Sequence, residues 1–164
     1  MNWLRVILDG LAVSLIFNVA TALFFFIMPH AYAHMMPKEI KKAAEPYTKK
    51  ELRSLELVIY SLFFGVVLWM IISAHNAGIR GLWNLFWTAY IEMLFVNFGD
   101  FLILDCWLMA VIRSNGRIAG TESCKAWEVK EYMKQAVPEH FLAWPLGICT
   151  AVGFVCAGIG VWLA

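Results

Sequence analysis

Four long apolar stretches separated by short polar ones organise the chain. They cover about residues 3–28, 54–74, 82–108 and 140–163. Each reaches the roughly 20 residues that an α-helix needs to cross a bilayer. The intervening segments carry the start and stop signals of helices. Pro37 opens and Pro46 closes a short surface helix. Thr48-Lys49-Lys50-Glu51 reads as a capping box just ahead of the second stretch. After the third stretch, Ser114 to Glu122 is rich in turn formers. Thr121 or Ser123 then caps a second amphipathic helix, which Pro138 terminates. The fold predicted is all-α: a single integral membrane four-helix bundle over residues 1–164, with short interfacial helices.

Composition agrees with the pattern. Of the 164 residues 62% are hydrophobic and 15% charged, with a mean hydropathy of +0.69, against about 25% charged in soluble domains. Ala31-Tyr32-Ala33 looks like a signal-peptide cleavage site, but the run before it is too long and Asp9 interrupts it, so the first stretch is read as a retained span. The four cysteines form no C-x-x-C pair and are read as soft packing residues.

Charge sets the topology. The first loop holds Lys38, Lys41, Lys42, Lys49, Lys50 and Arg53, and the third holds Arg113, Arg117, Lys125, Lys130 and Lys134. The second loop has only Arg80, and Arg5 lies at the N-terminus. Cytoplasmic loops carry the excess of Lys and Arg, so the first and third loops are expected in the cytoplasm and both termini outside the plasma membrane. The basic residues are a topology signal, and no nucleic acid partner is expected.

Ionisable groups inside a bilayer cost at least about 2.5–3.5 kcal/mol each at its centre and usually serve something. The third stretch carries Glu92, Asn97, Asp100 and Asp105. At ~100° per residue Asn97 and Asp100 share one face, with Asp105 on the other side of Asn97. Glu56 and His140 start the second and fourth stretches at the same cytoplasmic level, and His30 and His34 follow the first at helical spacing. Carboxylates with imidazoles suit a divalent cation such as manganese, iron or zinc. The bland alternatives are interhelical hydrogen bonding for Asn18 and Asn97, pairing of Asp105 with Arg113 or Arg117, and solvated interfacial histidines. Cys149, Gly153 and Ala157, with Cys156 and Gly160, form small-residue ridges that let helices approach, within the bundle or in a homo-oligomer. No P-loop, G-x-S-x-G or H-E-x-x-H motif is present.

Asn97-Phe98-Gly99-Asp100, Leu104-Asp105-Cys106-Trp107, Gly120-Thr121-Glu122 and His140 resemble the N-x-x-D, L-D-x-W, G-T-E and downstream His of an uncharacterised family of small four-span bacterial membrane proteins. The resemblance covers about two-thirds of the chain, from the first loop to the start of the fourth span, and departs from the pattern after Glu122. It implies a fold and candidate residues but no activity. The expected site is thus a polar cavity at the cytoplasmic mouth. Asp100, Asp105, Glu122 and His140 are its candidate catalytic groups. Asn97, Glu92 and Thr121 are its substrate contacts, and His34 and Glu56 join Asp100 and Asp105 as metal ligands. Three functions follow: an enzyme or metal-dependent site acting on a lipid or small amphipathic substrate, an oligomeric transporter with a proton or cation path along the third helix, or an accessory protein whose polar residues only fix packing.

Overall fold

The computed structural model describes residues 2–115 and 118–163. Arg117, a candidate partner of Asp105, lies outside the described residues. Five helices make up most of the chain: α1 (Trp3–Ile27), α2 (Lys38–Ala43), α3 (Lys49–Asn76), α4 (Leu82–Arg113) and α5 (Val129–Trp162). All but α2 are long and apolar enough to cross a membrane. Among the described residues there is no strand.

Local sequence explains the helix starts. The Asn2 side chain accepts from Arg5 N at 3.3 Å and caps α1. Thr48 and Glu51 form the expected capping box, with Glu51 N to Thr48 Oγ1 at 3.2 Å and Thr48 N to Glu51 Oε2 at 2.7 Å. The fourth span differs from its expected bounds. Pro138 does not end the amphipathic helix, which runs on from Val129 through Pro138 and Pro145 to Trp162. The residues before each proline lie inside one long helix because the backbone widens there instead of breaking.

Helix α4 is central, packed along α1 on one side and the second half of α5 on the other. Small residues bring the backbones together. A Cβ on Gly99 would collide with Ser14 and Asn18 of α1, and one on Gly153 would come within 2.9 Å of the Phe86 ring. Cys149 and Ala157 are fully buried, so the small-residue ridge of α5 packs inside the chain against α4. The outward faces are apolar, as with Leu4, Leu8, Leu11 and Leu15 along α1.

Three apolar clusters follow the bundle axis. One around Ala74, Leu85, Phe86 and Ala157 closes the end that carries the α3–α4 turn. A second fills the middle, around Phe17, Met70, Met93 and Val152. The third, around Phe25, Tyr32, Ile40, Leu108, Trp127 and Tyr132, ties the two basic loops to the bundle. That loop end holds the site.

Candidate functional site

Two stretches of π-helix build the site. Asp100–Leu108 interrupts α4, and Glu139–Cys149 interrupts α5. Helices of this kind are rare and frequently occur at functional sites. Each has a local cause. In α5, Pro145 has no N–H to give to the ladder and its ring crowds the preceding turn; the Thr150 hydroxyl donates to Pro145 O at 2.9 Å. In α4, polar side chains of α1 insert into the ladder just upstream. Ser14 Oγ donates to Phe95 O at 2.7 Å and Asn18 Nδ2 to Val96 O at 3.1 Å. Inserted side chains are a standard cause of helix distortion. Asn18 is thus interhelical glue, and its effect falls on the turn that carries Asp100.

The widening decides which side chains meet. In an α-helix residues five apart point roughly 140° apart. Hydrogen bonding from i to i+5 widens the turn and brings residue i+5 back toward the side of residue i, which turns Asp105 toward the side of Asp100. Both then face His140. His140 Nε2 lies 2.8 Å from Asp105 Oδ2 and 3.9 Å from Asp100 Oδ2. The Tyr132 hydroxyl donates to the other Asp105 oxygen at 2.6 Å. The α-helical angle that sets Asn97 between the two carboxylates is corrected accordingly: Asn97 sits beneath His140.

Asn97 fixes the imidazole. Its Nδ2 donates to the His140 carbonyl at 2.8 Å, so its Oδ1 is the atom facing His140 Nδ1, also at 2.8 Å. A carbonyl oxygen only accepts, so Nδ1 carries a proton. Nε2 and Asp105 Oδ2 then share a second proton, as imidazolium with carboxylate or as imidazole with carboxylic acid. Asn97 is completely buried and His140 is 2% exposed, so water does not compete for these bonds. The Trp144 ring stacks on the imidazole at 6.1 Å, and Phe101 tilts against it.

The cluster opens into a cavity of about 130 Å³ lined by Tyr32, Asp100, Asp105, Tyr132, Glu139 and His140, with Met35, Met36, Gln135 and Trp144 among the others. Tyr32 is 4% exposed. Burial, and after it the nearby carboxylates of Asp100 and Asp105, hold its phenol well above the usual range, so it stays a donor. Arg113 does not pair with Asp105. Its guanidinium lies 5.6 Å from the Tyr132 ring centre, and its Nε and Nη2 find no hydrogen-bond partner among the described residues.

Asn97, Asp100, Asp105 and His140 therefore come together, and five other expected site residues do not. Thr121 and Glu122 belong to a turn that clamps the two basic loops. Gly120 sits at φ +82° over Ala43 O, Glu122 Oε1 accepts from Gly120 N, and Trp127 Nε1 donates to Thr121 O at 2.9 Å. Glu56 is exposed on the outside of α3. α1 ends at Met28, and His30 and His34 lie in the short helical turns that follow, where His34 contacts Tyr47 at 2.7 Å and Lys41. Glu92 is buried toward the far end, where Asp9 and Arg5 are the charged groups that act on it. Among the described residues no three His, Cys, Asp or Glu side chains are arranged to hold a metal ion. Of the set expected from His34, Glu56, Asp100 and Asp105, His34 is bonded to Tyr47 and Glu56 is exposed on the outside of α3, so neither joins the two aspartates.

Sequence reasoning missed Tyr132, Glu139, Trp144 and Tyr32. The first two recur with Gln135 at helical spacing, a legible signal once the helix is known to continue through Pro138. Tyr32 had none, since its place depends on the break at Met28. The chain matches no family model, no curated protein and no solved structure, so its function rests on the geometry of this site.

Proposed function

We propose that the chain is a multi-pass protein of a bacterial plasma membrane, its basic loops in the cytoplasm, that does acid–base work on a lipid or small amphipathic substrate entering from the cytoplasmic side. One observation carries this reading: His140, its Nδ1 proton held by Asn97 and its Nε2 sharing a proton with Asp105, faces a cavity beside Asp100. A proton held between two groups of that kind can be given to or taken from a third group within reach. Asn97 and Tyr132 act as positioning residues that keep ring and carboxylate from turning away. The basic loops support the orientation, since both flank the cavity and hold most of the Lys and Arg.

The test is lipid turnover. Protein in vesicles of bacterial polar lipid is incubated and the extracted lipids are profiled over time by mass spectrometry. Wild type converts a lipid species and His140→Gln does not. Orientation is checked by thiol labelling of the Lys42→Cys and Arg80→Cys variants in intact cells. Only the Arg80→Cys variant gains a label from outside; labelling of the Lys42→Cys variant overturns the topology.

One observation favours transport instead. Glu92 is 2% exposed and its Oε2 has no partner, as a proton stop along α4 would be. Unchanged lipids, together with a pH gradient that collapses only when Asp100 and Glu92 are intact, would replace the enzymatic reading with that one.

A further inference from the structure

The cavity and the groove beside it differ in charge, and the difference specifies a ligand. Among the described residues the cavity lining contains three carboxylates, Asp100, Asp105 and Glu139, and one imidazole, with no Lys or Arg. Asp105 is bonded at both oxygens, to His140 and Tyr132. Asp100 accepts no hydrogen bond among the described residues; His140 Nε2 stands 3.9 Å from it. More than half of the other lining residues are aromatic or thioether: Tyr32, Tyr132, Trp144 and two methionines. A carboxylate without a donor beside aromatic faces is the environment an organic ammonium group prefers. The volume of about 130 Å³ holds several waters, which suits an amine on a short stem.

An open groove adjoins this cavity and shares Pro37 and Gln135 with it. Its charged residues are Lys38, Lys125, Glu39 and Glu131. Both carboxylates are engaged. Glu39 accepts from Lys125 N at 3.1 Å and Ala126 N at 2.8 Å, and Glu131 pairs with Lys134 at 2.6 Å. The ammonium groups of Lys38 and Lys125 have no partner among the described residues. The groove thus offers two cations to an anion held one step outside the amine.

We infer that the site takes a zwitterion carrying a cationic amine and a phosphate, the headgroup of an aminophospholipid, with the amine at Asp100 and the phosphate at Lys38 and Lys125. This rests on the reading of the cavity as the substrate site. Met35, which lines the cavity at 47% exposure, and the exposed Phe141 and Leu142 that follow His140 along α5 favour a lipid as the source of the headgroup over a free phosphoamine.

Native mass spectrometry of the detergent-solubilised protein tests it, with short-chain phosphatidylethanolamine, short-chain phosphatidylglycerol and soluble phosphoethanolamine as probes. Phosphatidylethanolamine is expected to bind about tenfold or more tighter than phosphatidylglycerol. Asp100→Asn erases that preference, and Lys38→Gln with Lys125→Gln weakens both lipids alike. Equal retention of the two lipids by wild type, or a preference untouched by Asp100→Asn, overturns the inference. Phosphoethanolamine matching the lipid in affinity overturns the lipid source. Selective binding without any turnover in vesicles sinks the acid–base reading and leaves this one standing; turnover confined to a lipid without an amine does the reverse.

Discussion

Two groups of polar side chains interrupt this apolar bundle, one near each end. At the far end, Arg5 pairs with Asp9 at 3.3 Å and donates to Ser73 O at 2.9 Å, while the Ser73 hydroxyl donates to Asp9. At the loop end stand Asn97, Asp100, Asp105, Tyr132 and His140. The far-end group sits on regular α-helix, and Arg5 and Asp9 answer each other with Ser73 of α3 between them, while Glu92 stands apart on α4. The loop-end group sits on two widened helices and has an excess of carboxylates facing a cavity. A polar cluster that balances itself joins helices; one left unbalanced beside open volume is available to a ligand. An ion pair held partly out of water adds little net stability but is costly to break from one side, so the two groups should answer mutation differently.

Removing the imidazole should separate them most sharply. His140→Ala is expected to lower lipid turnover in vesicles by about 10²–10⁴-fold while circular dichroism stays helical. Arg5→Met should instead lower the melting temperature in detergent, because it leaves Asp9 without its cation, and should leave turnover within about twofold of wild type. If Arg5→Met abolished turnover with the fold intact, the division of labour would fail.

Pro145→Ala tests the widened helix directly. Restoring an N–H lets the α-helical ladder resume and swings His140 relative to Asp105. A displacement of about 1 Å costs on the order of a hundredfold in rate, so turnover should fall steeply with little change in melting. Gly99→Val probes the other widened segment through packing. Its side chain would be driven into Ser14 and Asn18, and a cost of about 1–3 kcal/mol in stability is expected from chemical denaturation. The smallest effect belongs to Tyr132→Phe. It removes one donor from Asp105, which should cost about 1 kcal/mol and raise the KM for the lipid less than tenfold; no loss in either measure would take Tyr132 out of the positioning role.

Much of this was legible without coordinates. The four apolar stretches, the capping box at Thr48 and Glu51, and the gathering of Asn97, Asp100, Asp105 and His140 at one end of the bundle follow from residue types and spacing, because hydrophobic length and helix caps are local properties. Asn18 as glue, and the ridge at Cys149, Gly153 and Ala157 as a packing surface, were read correctly for the same reason. Thr121 and Glu122 looked like site residues for want of a view of the Trp127 clamp. Ile118, Gly120 and Trp127 bond them from within six residues, through a turn whose direction the glycine alone does not specify.

The tertiary structure decided the rest. Whether Pro138 and Pro145 end a helix or widen it depends on whether neighbouring helices hold the chain in line. Which face Asp105 takes depends on Ser14 and Asn18, some eighty residues upstream, occupying two carbonyls of α4. The sequence alone determined that the chain makes four long apolar helices and puts acids and a histidine near one end, since burial and periodicity are written residue by residue. Only the packed bundle determined that these groups share protons, because that depends on the pitch of two helices, and pitch is set by what each helix touches.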